Sequence, residues 1–447
     1  MFYSPITQAQ REHLLKEIGV PDIDALFADM RAVGKASPLD LPEPLSELEL
    51  KQFAVRLAGQ NKHTGAYISF MGGGSYDHFI PSVVGHVISR SEFYTSYTPY
   101  QPEMSQGTLR SIFEFQTMIC ELTGLGVSNA SVYDGASALA EACVMTINDA
   151  TKRTKVLLPS TLPPSYREVL DTYLLPKSVT IQTAGSQDAV CVSEEEFISQ
   201  FSVDFAAVVL SYPDFFGNMI SYDRVISAAK ENGIAVIMLC DPIALALFKS
   251  PGELGADIAV GEGQPLGIPT AFGGPYLGFM AASEKYLRLL PGRIVGQTYD
   301  KNGTLGYVLT FQTREQHIKR EKSLSNICTN QGLLALAATV YMAYMGPHGL
   351  RRVAELCYKK TNYLKTRLAS LPGVTVLNTG VTFREFVISL PCDAAKVGKA
   401  LKAQQIFAGI DMGRFDKSRK NQLLIAVTEK RSTAELDQLA EAIKGCL

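Results

Sequence analysis

This chain of 447 residues is short of four things, and each shortage removes a class of explanation. Its eight cysteines (Cys120, Cys143, Cys191, Cys240, Cys328, Cys357, Cys392, Cys446) are scattered. They form no C-x-x-C pair and no Cys/His grouping spaced for zinc, so reduced structural thiols and no bound metal are expected. Positive charge is not in surplus either. With 42 Lys and Arg against 44 Asp and Glu, the net charge is −2 and the pI is near 6.3, and no Lys/Arg cluster alters that balance. Nucleic acid is therefore not an expected partner. No apolar run reaches the roughly 18 residues that a bilayer span needs, and the opening MFYSPITQAQREHLLKEIG has no apolar signal core. Neither membrane insertion nor secretion is expected, and a cytoplasmic location is.

The fourth absence is chemical. GEGQPLGIPTAFGGPYLGF, residues 261–279, is a glycine-rich loop with the layout of one that carries a reactive lysine, and it has none. At the position where an amine would stand is Gln264, whose amide nitrogen has a delocalised lone pair and cannot form a Schiff base. Lys249 lies in the turn-like KSPGELGAD and Lys285 beyond the loop, and neither is well placed to substitute.

What is present reads as three segments. Residues 1–65 are helical and polar, interrupted by the Pro-rich LDLPEPLS, and make an arm. Residues 66–330 alternate short apolar runs (VLLP, VTIQ, AAVVLSYP, AVIMLCD, YLGFMAA) with helical periodicity, the pattern of an α/β domain with a mostly parallel sheet covered on both faces. Residues 331–447 begin with a long helical stretch from LLALAATVYMAYMGPHGL to KTRLASL. The candidate strands VTVLN, REFVISL and LLIAVTE and a final helix follow, which makes a smaller α+β unit.

Several stretches have chemical potential. In SNASVYDGASALAEACVMTIND, Asp134 and Gly135 precede small residues opening a helix, including Ala136 and Ser137. Free N–H groups at such a start suit a phosphate, and an ordinary N-cap by Asp134 explains the pattern equally well. AVIMLC ends at Asp241, at the strand edge where α/β sheets place functional carboxylates; a plain Asp-Pro turn is the alternative. EFYTSYTPYQPEMSQG spaces Tyr94, Tyr97 and Tyr100 by three, yet Pro99 and Pro102 exclude a regular helix, so a shaped loop is expected. FQTREQHIKREKSLSNICTNQ, 311–331, concentrates Arg314, His317, Lys319, Arg320 and Lys322 near Glu315 and Glu321; a solvated helix with i,i+4 pairs and a subunit contact both suit it. His78 and His86 read as structural histidines.

Six motifs in order, ISFMGGGSYDHFIP, EFYTSYTPYQPEMSQGTLRSIFEFQTMICELTGL, YDGASALAEA, GEGQPLGIPTAFGGPYLGF, GRIVGQTYD and TREQHIKREKSLSNICTNQ, resemble the glycine cleavage system P-protein family, in its split form the α subunit. The resemblance runs from the arm to about residue 335. It implies a fold-type I pyridoxal phosphate architecture, with the cofactor covalently held by a β subunit that carries the lysine. Set against the β-subunit pattern, IPTAFGGP puts Gln264 at the lysine position, so no catalytic residue is expected on this chain alone. Asp241 would match the carboxylate that pairs with the pyridinium nitrogen, and Gly135, Ala136, Ser137, Asp241 and Gln264 would form a vestigial pocket. The implied reaction is decarboxylation of glycine by the complex and transfer of the aminomethyl group to lipoylated H-protein. Tyr94, Thr95, Tyr97, Thr98, Tyr100, Gln101 and Glu103 would line the glycine pocket or lipoyl channel at the subunit interface, with Arg314 and Asn326 reaching across. Two other readings stay open: a self-sufficient pyridoxal phosphate decarboxylase using a different lysine, and a non-catalytic regulatory or scaffolding pseudoenzyme.

Overall fold

The computed structural model describes residues 5–33, 39–150 and 153–447. Residues 1–4 and 34–38, part of the expected arm, and 151–152 lie outside the described residues. The chain divides into two compact units, 1–62 and 63–447. In the first, α1 (Gln8–Ile18) and α2 (Glu47–Ala58) each open on a capping box, Thr7 with Gln10 and Ser46 with Glu49. These reciprocal bonds satisfy backbone donors that a helix start leaves free.

The second unit is organised by a seven-stranded sheet. Its strands in chain order are β1 (Val127–Ser128), β2 (Lys155–Pro159), β3 (Thr180–Ala184), β4 (Phe205–Tyr212), β5 (Ala235–Cys240), β6 (Ile258–Glu262) and β7 (Gly278–Ala282). They lie in the order β1-β7-β6-β5-β4-β2-β3. The pairs among β2 to β6 are parallel, while β7 runs antiparallel to both β6 and β1, so the sheet is mixed at one edge. Every residue of β4 is buried, and alternate residues feed different cores: Val208 and Leu210 one, Ala207 and Val209 the other. A fully buried, β-branched strand is what a sheet covered on both faces demands.

Helix α3 (Gln106–Thr123) buries Leu109, Ile112, Phe115 and Ile119, one stripe at helical spacing. Helix α4 (Gly135–Asp149) starts at Asp134, whose side chain accepts from the Ser137 N–H at 2.7 Å. The long stretch expected as one helix, α5 (Gly332–Ala369), is two helical segments joined at Gly346 (φ 59°) and Pro347. Proline lacks the N–H that would continue the ladder, and glycine alone takes the positive φ without a Cβ penalty.

Four antiparallel strands form the C-terminal sheet: β8 (Thr375–Val376), β9 (Glu385–Ser389), β10 (Ile410–Asp411) and β11 (Gln422–Ala426), ordered β8-β9-β11-β10. Residues 68–69, near the start of this unit, pair in parallel with 406–407. The segment 311–331 does not form a regular helix, one of the two readings its sequence allowed. It holds only one-turn pieces, Gln312–Arg314, Gln316–Lys319 and Arg320–Lys322, broken at Arg320 by a φ of 54°. No helix among the described residues is long and apolar enough to cross a membrane.

Candidate functional site

The parallel strands end at a cavity of about 60 Å³ lined by Tyr76, Tyr166, Asp214, Asp241, Glu262 and Glu385 among others. Crevices at the C-terminal ends of parallel strands are where such sheets bind ligands. Of the five residues expected in a vestigial pocket, Asp241 lines this cavity; Gly135, Ala136, Ser137 and Gln264 do not, and Gly135, Ser137, Asp241 and Gln264 each bond within the chain.

Gln264, only 1% exposed, is pinned by its whole amide. Its Oε1 accepts from the Tyr76 N–H at 2.9 Å, and its Nε2 donates to the carbonyls of Tyr76 at 3.0 Å and Ile268 at 2.7 Å. No lysine lines the cavity. Lys285 instead pairs with Asp257 at 2.5 Å and lies over the Tyr286 ring, and Lys249 is exposed.

The helix start, which suited either a phosphate or an ordinary N-cap by Asp134, is capped by Asp134 and also meets Glu262. Gly135 N–H donates to Glu262 at 3.0 Å, and the other Glu262 oxygen accepts from Gln264 N–H at 3.0 Å and Leu277 N–H at 2.9 Å. Glu262 stands at the end of β6, in the glycine-rich loop, yet sequence reasoning passed over it. Burial pushes its pKa up to about 7 even against those three donors. Position 135 has to be glycine, because a Cβ there would lie 2.3 Å from the Tyr166 hydroxyl.

Asp241 was expected to face a cofactor ring nitrogen; it is paired with Arg384. One Asp241 oxygen bonds the Arg384 guanidinium while the other accepts from the N–H groups of Ile243 at 2.9 Å and Ala244 at 3.0 Å. The same guanidinium donates to His78 Nε2 at 2.9 Å and stacks over the Tyr76 ring. Because Nε2 accepts, the His78 proton sits on Nδ1 and is donated to Glu429 at 2.6 Å. Burial lowers the His78 pKa despite the opposing pull of Glu429. His78, Cys357 and Glu429 place three ligand-type atoms within 4.8 Å of one another, a cluster drawn from distant positions that no sequence spacing reveals. Tyr76 donates to Glu385 at 2.6 Å, completing the wall.

A second cavity, about 210 Å³, opens under the Tyr/Pro loop. Tyr94, Tyr97 and Thr98 line it with Arg293, Thr329 and Asn330. Tyr97 is 90% and Tyr94 69% exposed, while Tyr100 receives a bond from Arg293 Nη2 at 3.2 Å. Arg293 is buried and also bonds the Cys328 carbonyl at 2.8 Å and the Thr329 hydroxyl at 3.1 Å, so it ties the loop to the start of α5. It lies in GRIVGQTYD and was not singled out from the sequence. Thr95 bonds back to Ser91, and Gln101 and Glu103 are exposed on the loop without lining this cavity. Arg314 lines a separate crevice and donates to the Gly292 carbonyl at 3.0 Å. Asn326 is exposed and accepts from Gln316 at 3.4 Å. Arg314 and Asn326 do not line the cavity under the loop, although His317 of the same segment lies edge-on to Tyr100 with ring centroids 6.0 Å apart.

Residues 1–443 match the family model described as glycine cleavage system P-protein. Two relatives called probable glycine dehydrogenase (decarboxylating) subunit 1 are each 49% identical: that of Desulfitobacterium hafniense, with 98% of both chains covered, and that of Moorella thermoacetica, with 100% covered. The crystal structure of a glycine decarboxylase (P-protein) in inhibitor-bound form superposes with a TM-score of 0.90 at 39% identity over the whole of both chains. Glutamate decarboxylase from Lactobacillus brevis, at 9% identity and a TM-score of 0.69, shares the fold.

Proposed function

The chain belongs to the glycine cleavage system P-protein family and is a subunit of a glycine-decarboxylating enzyme with the fold of pyridoxal phosphate enzymes; we propose that it is the half without a Schiff-base lysine, completing the site of a second, lysine-bearing subunit. The observation that carries this reading is Gln264, a buried amide fixed by three hydrogen bonds at the position the lysine would hold. A residue so tied cannot be displaced by a neighbouring amine without leaving the Tyr76 and Ile268 backbone groups unpaired, which is costly in a buried place.

In this reading pyridoxal phosphate is held by the second subunit, where it acts as the electron sink for loss of carbon dioxide from glycine. This chain shapes the space around the substrate. Tyr94 and Tyr97 present rings and hydroxyls to the partner, Thr98 and Asn330 border the same cavity, and Arg293 holds that loop in place from beneath. Tyrosines supply broad, rigid contact area with a polar tip, as an interface bordering a small polar substrate and an incoming lipoyl arm requires. Lipoylated H-protein is the proposed acceptor of the aminomethyl group.

The test is reconstitution. Glycine-dependent release of carbon dioxide should require both subunits and be absent from either alone. Turnover by this chain alone with pyridoxal phosphate would overturn the reading in favour of a self-sufficient enzyme.

A further inference from the structure

A pocket that has lost its lysine has two possible fates: it can stay open for a ligand held without a covalent bond, or it can be filled. The polar positions around the 60 Å³ cavity distinguish them. A ligand pocket for even a modest organic molecule takes roughly 300 Å³ or more, so the space that remains suits a few waters.

Three kinds of group would have to be met by a pocket for pyridoxal phosphate: an anion at the start of α4, a protonated ring nitrogen at Asp241, and an aldehyde carbon near position 264. Each place is filled by a side chain of matching character. A carboxylate, Glu262, receives the Gly135 N–H at 3.0 Å. A cation, Arg384, meets Asp241. An amide, Gln264, closes onto the backbone of Tyr76 and Ile268. Asp214 and Glu385 add two more acids to the lining, so a phosphate entering here would meet four acidic side chains, of which Asp241 is already paired with Arg384.

Arg384 shows that the filling is built rather than incidental. It is the largest of the fully buried side chains, and its backbone sits at φ 60°, a conformation that a long L side chain seldom adopts. That strain is tolerated where the surroundings fix it, here by Asp241, His78 and the Tyr76 ring together.

We propose that the pocket is self-liganded: Glu262, Arg384 and Gln264 occupy the places of phosphate, ring nitrogen and amine, so this chain binds no pyridoxal phosphate. The same groups join the end of β5 to the start of β9 and, through His78, to Glu429, a cross-link between the central and C-terminal sheets. The pocket's chemistry has turned from holding a ligand to holding the fold. This inference stands on the cavity alone and holds whether or not the chain completes a second subunit's site.

The purified full-length chain is titrated with pyridoxamine 5′-phosphate, which needs no lysine, and followed by calorimetry. No saturable binding is expected. Glu262→Ala, which frees the helix start and removes an acid from it, should acquire phosphate-dependent binding at least about tenfold tighter than the wild-type limit. Gln264→Lys alone, given pyridoxal phosphate, should develop no Schiff-base absorbance. Saturable binding by the wild-type chain, or a Schiff base in Gln264→Lys, would overturn the proposal; so would a folded Glu262→Ala that gains no affinity. The wild-type titration decides the matter even if a variant fails to fold.

Discussion

Arg384 reaches across 143 residues of chain to pair with Asp241, with side chains 2% and 9% exposed respectively. A pair so buried is a weak source of net stability, yet breaking it from one side leaves an uncompensated charge. Arg384→Met should therefore destabilise the chain by about 3–5 kcal/mol. Arg384→Met with Asp241→Asn should recover a good part of that loss, because the orphaned charge is gone. Urea unfolding of these two variants and of Asp241→Asn alone measures the coupling; simple additivity would mean that the pair is not the unit described.

Stability should fall as pH rises from about 4.5 to about 7, the loss from two buried carboxyls outweighing the opposite contribution of His78, whose pKa is lowered in the fold. Burial raises Glu262 and Asp214 each to about 7 in the folded chain, so both bind protons there that the unfolded chain has already released. Groups raised in this way contribute stability that is full below their unfolded pKa and lost by the folded one. Unfolding midpoints measured across this range should decline, and Glu262→Gln should flatten the decline while weakening the Gly135 contact. A midpoint that climbs through the window would contradict the assignment.

Tyr97→Ala should leave the isolated chain almost unchanged, within about 0.5 kcal/mol, because the side chain is 90% exposed. In the assembled enzyme the same substitution should cut glycine turnover at least about tenfold, a loss of roughly 1.4 kcal/mol of transition-state stabilisation. Sedimentation confirms assembly and carbon dioxide release gives the rate. Undiminished turnover in a normal complex would remove Tyr97 from the site and favour a scaffolding role.

The parts of this molecule most legible in the sequence were those written in local periodicity. β4 and β5 stand out as β-branched runs, and α3 as one apolar stripe with its Gly124 end. The break in the long helix was signalled by Gly346-Pro347, though the apolar pattern on both sides masked it. In the segment 311–331 the helical one of the two readings failed: its charges fit an i,i+4 helix, while the chain is held in short turns by Arg314 to Gly292 and Ser323 to Ser325. Gln264 could be placed because the glycines and prolines around it form a recognisable loop. Its partner Tyr76 could not, since it lies 188 residues away, and the neighbouring Arg384, His78 and Glu429 are likewise joined only by the packing of the two sheets. Glu262 was within reach: a carboxylate two residues before the lysine position, at a strand end facing a helix start, is a local signal that the missing amine overshadowed.

The claim that this chain is the lysine-free half of a two-subunit site is tested most directly by borohydride reduction of the assembled enzyme with pyridoxal phosphate, followed by peptide mapping. The pyridoxyl label should fall wholly on a lysine of the second subunit. A stoichiometric label on any lysine of this chain would contradict the account.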